Sequence, residues 1–446
     1  MLPIGVATTY SVPGRNGAPA RPPRRSAWLP ASGSRLAMSL LGVSLMGFIV
    51  GAAGQPLQPT TAPAAAAAAN GAPLVALVVP LSGRQESLGM AIRDGFIAAS
   101  LEAPESRRFN TLIIDEARVS AAEGHAQALN AGAKALVGPL LKESVVALAS
   151  LVGASAGPLP GQMAVLALNN LGDTDPGHGV LWQFALAPED EAREIAARAV
   201  ALRQLRAVVL IPATEWGQRL LAAFSAEFAL RGGVVVDTRT YLPGAADFTV
   251  PIRGLLLTTE PGPAVAGSAA NPAEKPGLSP GRRQDVDFIL VVANSSNGRQ
   301  ILPQLRFFGA SDLPTYSTSA IWEDGGADDD DLNGVIFPDS PWVIAPNSRQ
   351  LLVKNGVVRH WGRALLTVSR LYGLGYDAYQ LLPEVLGQPS PGPFAVGEIP
   401  GTSGVLYADA TGRIHRRLTF AEIRGGRPMS LPAPLPASSP APPRDP

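Results

Sequence analysis

The stretch LVALVVPLSGRQESLGMAIRDGFIAASL, residues 74–101, decides the fold. Its first six residues are a continuous apolar run rich in Val, which reads as a strand buried on both faces. From Ser87 to Leu101 the apolar residues recur at helical spacing instead. Between the two periods lies a short polar turn, so the stretch is a strand, a loop and a covering helix.

Working outward, the same alternation continues. Strands are expected at Thr111–Asp115, Ala135–Gly138 and Ala164–Leu168, with helices at Ser120–Ala131 and Lys142–Val152 between them. The pattern then restarts: helix Pro188–Arg203, strand Ala207–Ile211, helix Gly217–Arg231, strand Val234–Asp237, helix Phe248–Leu256, strand Asp287–Val292 and helix Asn297–Phe307. Two successive runs of this kind predict an α/β fold of two Rossmann-like, doubly wound lobes with a cleft between them. Ligands of such sheets lie outside the carboxyl ends of the strands, which singles out the loops at 80–85, 138–141, 169–170, 212–216 and 294–296.

Composition narrows the function. The 446 residues are 46% hydrophobic and 16% charged, with Lys plus Arg and Asp plus Glu equal at 36 each. That balance offers no general field for a phosphate backbone, so nucleic acid is not an expected partner. There is no cysteine, which removes disulfides, thiolate nucleophiles and lipid attachment through a cysteine. The four histidines, His125, His178, His360 and His415, are scattered, and neither a metal nor a cofactor is expected. No Gly-x-Ser-x-Gly elbow or His-Glu-x-x-His pair appears, so no catalytic residue is assigned and an enzyme is not expected.

The ends are read separately. Residues 1–54 place several arginines before the apolar run Leu36–Ala53, as in a signal peptide or an N-terminal anchor, and imply export to the periplasm. Residues 55–73 form a Pro/Ala-rich linker, 258–281 a Pro/Gly-rich surface insertion and 431–446 a disordered Pro-rich tail.

Several motifs carry a resemblance. The run VPLSGR at 79–84, with Gly89 and Asp94–Gly95, and the later GTSG at 401–404 with Asp409 and Gly412, resemble type I periplasmic binding proteins such as branched-chain amino-acid receptors. FALAPEDEARE at 184–194, EWGQR at 215–219, Asp247–Phe248, RRQDVDF at 282–288, QLRFFG at 304–309, DLNG at 331–334 and RLYGLGYDAYQLL at 370–382 are similar to penicillin-binding-protein activators of the LppC/LpoA type. That resemblance implies a periplasmic-binding-protein-like fold over 74–430. The first lobe would hold about 74–181 and 316–395, and the second about 182–315 and 396–430. It implies a non-enzymatic regulator of peptidoglycan synthesis whose partner is a class A penicillin-binding protein. The alternative is a transporter-linked receptor for an amino-acid-like ligand.

The candidate cleft residues follow from the loops. Ser82, Gly83, Arg84 and Gln85 combine a hydroxyl, free backbone and a cation suited to an anion or a carboxylate, against the plainer reading of a tight turn. Gly138, Pro139, Leu140 and Asn169 close neighbouring strands. Trp216 is placed to stack on a ligand or to pack under its loop, and Tyr316, Ser317, Thr318 and Trp322 offer aromatic and hydroxyl groups for a crevice. Asp328–Asp331 reads as a solvated acidic loop, lacking the ligand spacing of a calcium site. Arg413, Arg416 and Arg417 are expected on a basic hairpin as a partner surface, with plain solvation as the competing reading.

Overall fold

Each lobe is built on one sheet, and the alternation of side chains along the first strands shows why. The computed structural model describes residues 71–153, 163–172, 181–257, 282–324, 329–361, 366 and 368–434. The N-terminal segment, most of the linker, the 258–281 insertion and the tail beyond 434 lie outside the described residues.

The first sheet has eight strands. Five are parallel: β1 (Leu74–Val79), β2 (Asn110–Asp115), β3 (Ala135–Val137), β4 (Ala164–Ala167) and β5 (Trp182–Phe184). Late in the chain β11 (Ile399–Pro400), β12 (Val405–Ala408) and β13 (Arg413–Arg417) complete it, with β13 parallel to β5. Val75, Leu77 and Val79 point to one face, where they pack with Ile92 and Phe96 of helix α1 (Glu86–Glu102). Ala76 and Val78 point to the other, against Ala128 of α2 (Ala121–Asn130) and Leu148 of α3 (Lys142–Gly153). Two-residue periodicity within a continuous apolar run thus supplies both faces of one sheet.

The second sheet has seven strands. It comprises β6 (Arg206–Pro212), β7 (Val234–Tyr241), β8 (Phe288–Val291), β9 (Thr315–Tyr316) and β10 (Val335–Asp339), all parallel, then antiparallel β14 (Thr419–Arg424) and β15 (Arg427–Ser430). Helices α4 (Pro188–Ala201) and α5 (Glu215–Leu230) cover one face through Ile195, Leu220, Phe224 and Phe228. On the other face α6 (Thr249–Leu256) and α7 (Ser295–Phe307) bring Ile252, Leu255, Ile301 and Leu305. Thr214 caps α5 and Asn294 caps α7, each accepting from a backbone N–H of the first turn.

The two-lobed α/β architecture is as expected, but the expected partition is corrected by strand pairing. Thr315 and Tyr316 pair with Ile289 and Leu290, and β10 follows beside them, so 315–339 belongs to the second lobe and not the first. The final segment is shared: β11–β13 join the first sheet through β5, and only β14 and β15 reach the second. Strand β5, too, lies in the first lobe.

The chain therefore crosses between lobes after Phe184, between Asp339 and α10 (Ser369–Gln380), and at Leu418. The second crossing carries α8 (Pro341–Ile344) and α9 (Ser348–Trp361), and α10 is followed by α11 (Leu382–Gly387). Helix α10 returns to the first lobe against α1, where two glycines allow near contact of backbones. A Cβ on Gly95 would lie 2.0 Å from the Tyr372 carbonyl oxygen, and one on Gly375 2.0 Å from that of Ile92.

Candidate functional site at the lobe junction

At the carboxyl ends of the first lobe's strands, the loops expected to receive a ligand are held by the lobe's own acids. Asp115, at the end of β2, accepts from the Ser82 hydroxyl at 2.7 Å and from the Leu81 N–H at 2.7 Å. Desolvation pushes its carboxyl up, but the Ser82 hydroxyl and the Leu81 and Ala117 amides outweigh this and hold it below its usual value. Gly83 and Arg84 are exposed and Gln85 is half-buried. Next to Asp115, the buried Glu116 accepts from the N–H groups of Leu140 at 2.9 Å and Leu141 at 3.0 Å. Burial is the larger influence there and raises its carboxyl.

Gly138 precedes a cis bond to Pro139 and has φ +109°, with no room for a side chain because a Cβ would meet the Val78 carbonyl oxygen at 2.0 Å. The Asn169 amide donates to the Leu140 carbonyl at 2.9 Å, tying adjacent loops together. A pair of backbone amides facing a carboxylate could also hold a bound acid, although such an acid is expected at Ser82–Gln85 and not at this loop. Here the carboxylate is Glu116, a residue that sequence reading passed over because its partners are 24 and 25 positions away.

In the second lobe the expected crevice residues are core residues. Tyr316 is fully buried, its ring edge-on to Phe288 and its hydroxyl 2.9 Å from the Gln204 side-chain oxygen. Trp322 is packed in the lobe's apolar core, and the half-buried Trp216 packs against the cluster around Phe224. Ser317 donates to the Val291 carbonyl at 2.7 Å, while the buried Thr318 hydroxyl has no hydrogen-bond partner among the described residues. Tyr316 ends the buried strand β9, and the hydroxyls and ring that follow it to Trp322 are enclosed with it in the core. The acidic loop is corrected at one position: Asp329 is buried and ion-paired with Arg299, while Asp330 and Asp331 are exposed as expected and Asp328 lies outside the described residues.

All three crossings meet in a buried polar cluster. Arg370, at the start of α10, donates from Nε and Nη2 to the Asp339 carboxylate at 2.6–3.0 Å, and from Nη2 to the Ser319 and Trp322 carbonyls at 3.2 and 3.1 Å. Burial works against its charge, but Asp339 outweighs it and keeps the guanidinium above its ordinary value. Glu191, on α4, accepts from the Ser319 N–H at 2.7 Å and its hydroxyl at 2.8 Å. Burial pushes this carboxyl up to about 7, opposed first by the charge of Arg416. Asp324 accepts from Lys354 at 2.9 Å and Ser369 at 2.6 Å, closing the second crossing.

The partner-surface expectation divides here. Arg416 is only 3% exposed and belongs to this cluster, with Nη1 donating to the Ser403 carbonyl at 3.4 Å while Nε and Nη2 have no hydrogen-bond partner among the described residues. It shares a strand face with the buried Ile414, which is why it points inward. Arg413 is half-buried, with its Nε likewise buried and without a hydrogen-bond partner among the described residues. Arg417 alone of the three is exposed, paired with Glu398 at 2.8 Å and lying over the Tyr407 ring. Beside it an open groove of about 470 Å³ is lined by Glu194, Arg198, Leu418, Phe420 and Leu431.

Comparison with known proteins places this geometry. Penicillin-binding protein activator LpoA of Vibrio antiquarius (strain Ex25) is 28% identical over 351 residues, covering 78% of this chain and 56% of that protein. The chain thus spans little more than half of that relative's length. The LpoA (YraM) C-domain from Haemophilus influenzae, described as a regulator of PBP1A, superposes with a TM-score of 0.63 at 24% identity, covering 80% of this chain and 99% of that domain. A putative branched-chain amino acid ABC transporter structure from Rhodospirillum rubrum gives a TM-score of 0.60 at 19% identity, covering 81% of this chain and all of that one (100%). At these identities the structures establish the fold. The family model of the LppC putative lipoproteins matches residues 69–426, through both lobes and all three crossings, and the chain belongs to that family.

Proposed function

We propose that the folded region is a non-enzymatic, periplasmic regulator of peptidoglycan synthesis that acts by binding a class A penicillin-binding protein. The observation that carries this reading is the family match over 69–426, among whose relatives are penicillin-binding protein activators. The loops support it, because the amide pair suited to a ligand's carboxylate is engaged by Glu116. A small solute would have to displace an internal acid before binding. Catalysis is given no constellation by the junction, whose charged groups are turned toward one another and away from solvent.

The test sets the two kinds of partner against each other. Full-length protein is passed over immobilised class A synthase from the same envelope, and separately titrated with branched-chain amino acids in a calorimeter. Saturable binding to the synthase with no heat from the amino acids is the expected pattern. Micromolar binding of an amino acid, with none to the synthase, would sink the proposal.

A further inference from the structure

We propose that His415 is an imidazolium latch between the lobes, closed when its ring is protonated and released when the proton leaves. His415 stands on β13 of the first sheet, just before the single-residue crossing at Leu418. Its Nδ1 lies 2.9 Å from the Asp190 carboxylate and its Nε2 lies 3.2 Å from that of Asp409. Asp190 belongs to the first turn of α4 and hence to the second lobe, whereas Asp409 sits in the turn between β12 and β13 of the first. The ring joins the lobes at two crossings at once.

Hydrogen-bond chemistry makes the contact depend on charge. Ionised carboxylates only accept, and a neutral imidazole has one N–H. With acids at both nitrogens, only the doubly protonated ring donates to each; the neutral ring turns a lone pair toward one carboxylate. The ring is held in place by stacking on Tyr407, at 5.4 Å between centroids.

The charged and titratable surroundings are Asp190, Arg193 and Glu194 from α4, Tyr407 from β12, Asp409 from the turn, and Arg413 and Arg417 from β13 itself. Arg193 is engaged with Asp190 at 2.8 Å and Arg417 with Glu398 at 2.8 Å. Burial alone would lower the imidazole's value, and Asp190 and then Asp409 outweigh it, so the ring stays charged above its ordinary 6.5. A folded value above the unfolded one means the stabilisation is complete below 6.5 and is lost as pH rises through the raised value. Glu194, whose carboxyl burial pushes up to about 7, titrates nearby, so a His415 variant is needed to separate the two.

The experiment exploits a chain without cysteine. Ala122→Cys on α2 and Ala226→Cys on α5, both exposed and in different lobes, take a pair of spin labels in the full-length protein. Distance distributions are recorded at about pH 5.5 and about pH 8.5, and the His415 ring is followed by NMR. The expected result is a narrow distribution in acid that broadens in base, a ring signal titrating above 6.5, and a broad distribution at both pH values for His415→Gln. Equal widths at both pH values, broadening that persists unchanged in His415→Gln, or a ring that titrates at or below 6.5 would overturn the latch. If His415→Gln does not fold, Glu194→Gln replaces it: broadening with rising pH that survives in that variant keeps the latch, and its loss assigns the change to Glu194 and overturns it.

Discussion

The two lobes meet their junction differently. In the first lobe, the loop amides at the strand ends are satisfied from within, by Asp115 and Glu116. In the second, the segment Ser319–Trp322 is held by Glu191 of α4, just past the first crossing, and across the junction by Arg370 from the second crossing. One lobe has a self-contained edge; the other is completed only when the crossings are in place. The second lobe's edge should therefore register any damage to the junction, and the first lobe's edge should not.

The largest effect is expected from Arg370→Met. It leaves Asp339 buried without its cation, an uncompensated charge that typically costs about 3–5 kcal/mol. Urea unfolding measures the loss, and hydrogen exchange should accelerate at Ser319–Trp322 while the Leu140–Leu141 amides remain protected. A change below about 1 kcal/mol would mean that the lobes do not depend on this ion pair, and the contrast between them would fail.

Glu116→Gln reverses the test. The amide keeps one acceptor for the Leu140 and Leu141 N–H groups and loses the other, a change of about 1 kcal/mol, and exchange should accelerate in the first lobe only. Because burial raises the Glu116 carboxyl, its favourable protonated form is complete in acid and is lost as pH rises through that raised value. The penalty of the substitution should accordingly be larger near pH 4 than at neutrality. Equal penalties at both would show that Glu116 does not carry a raised value.

How far these features were legible in the sequence depends on how far apart the partners lie. The strands were legible because Val75, Leu77 and Val79 on one side and Ala76 and Val78 on the other form an uninterrupted apolar run. The lobe partition was not, because a strand's sheet is fixed by pairing, and β9 looks the same locally whichever sheet it joins. Tyr316 and Trp322 were misread for a related reason: aromatic and hydroxyl groups suit a crevice and a buried strand end equally well. Glu116, Glu191 and Arg370 bind segments from 24 to 128 positions away, a distance that leaves no local signal. Arg416 did have one, since Ile414 two residues earlier marks the buried face of its strand.

Arg416 and Arg417 carry that comparison to its smallest expected effect. The neighbours have the same charge and opposite environments: Arg416 is enclosed with Glu191, and Arg417 projects to solvent with its side chain 59% exposed. An exposed pair such as Arg417–Glu398 is screened by water, so Arg417→Glu should change folding stability by no more than about 1 kcal/mol. It nonetheless reverses a charge beside the groove at the third crossing, where a partner would sense it first through its association rate and salt dependence. Stability unchanged with slower, less salt-sensitive synthase binding would place the contact beside that crossing. Unchanged binding would remove Arg417 from the partner surface, and a large loss of stability would show that it is as structural as Arg416.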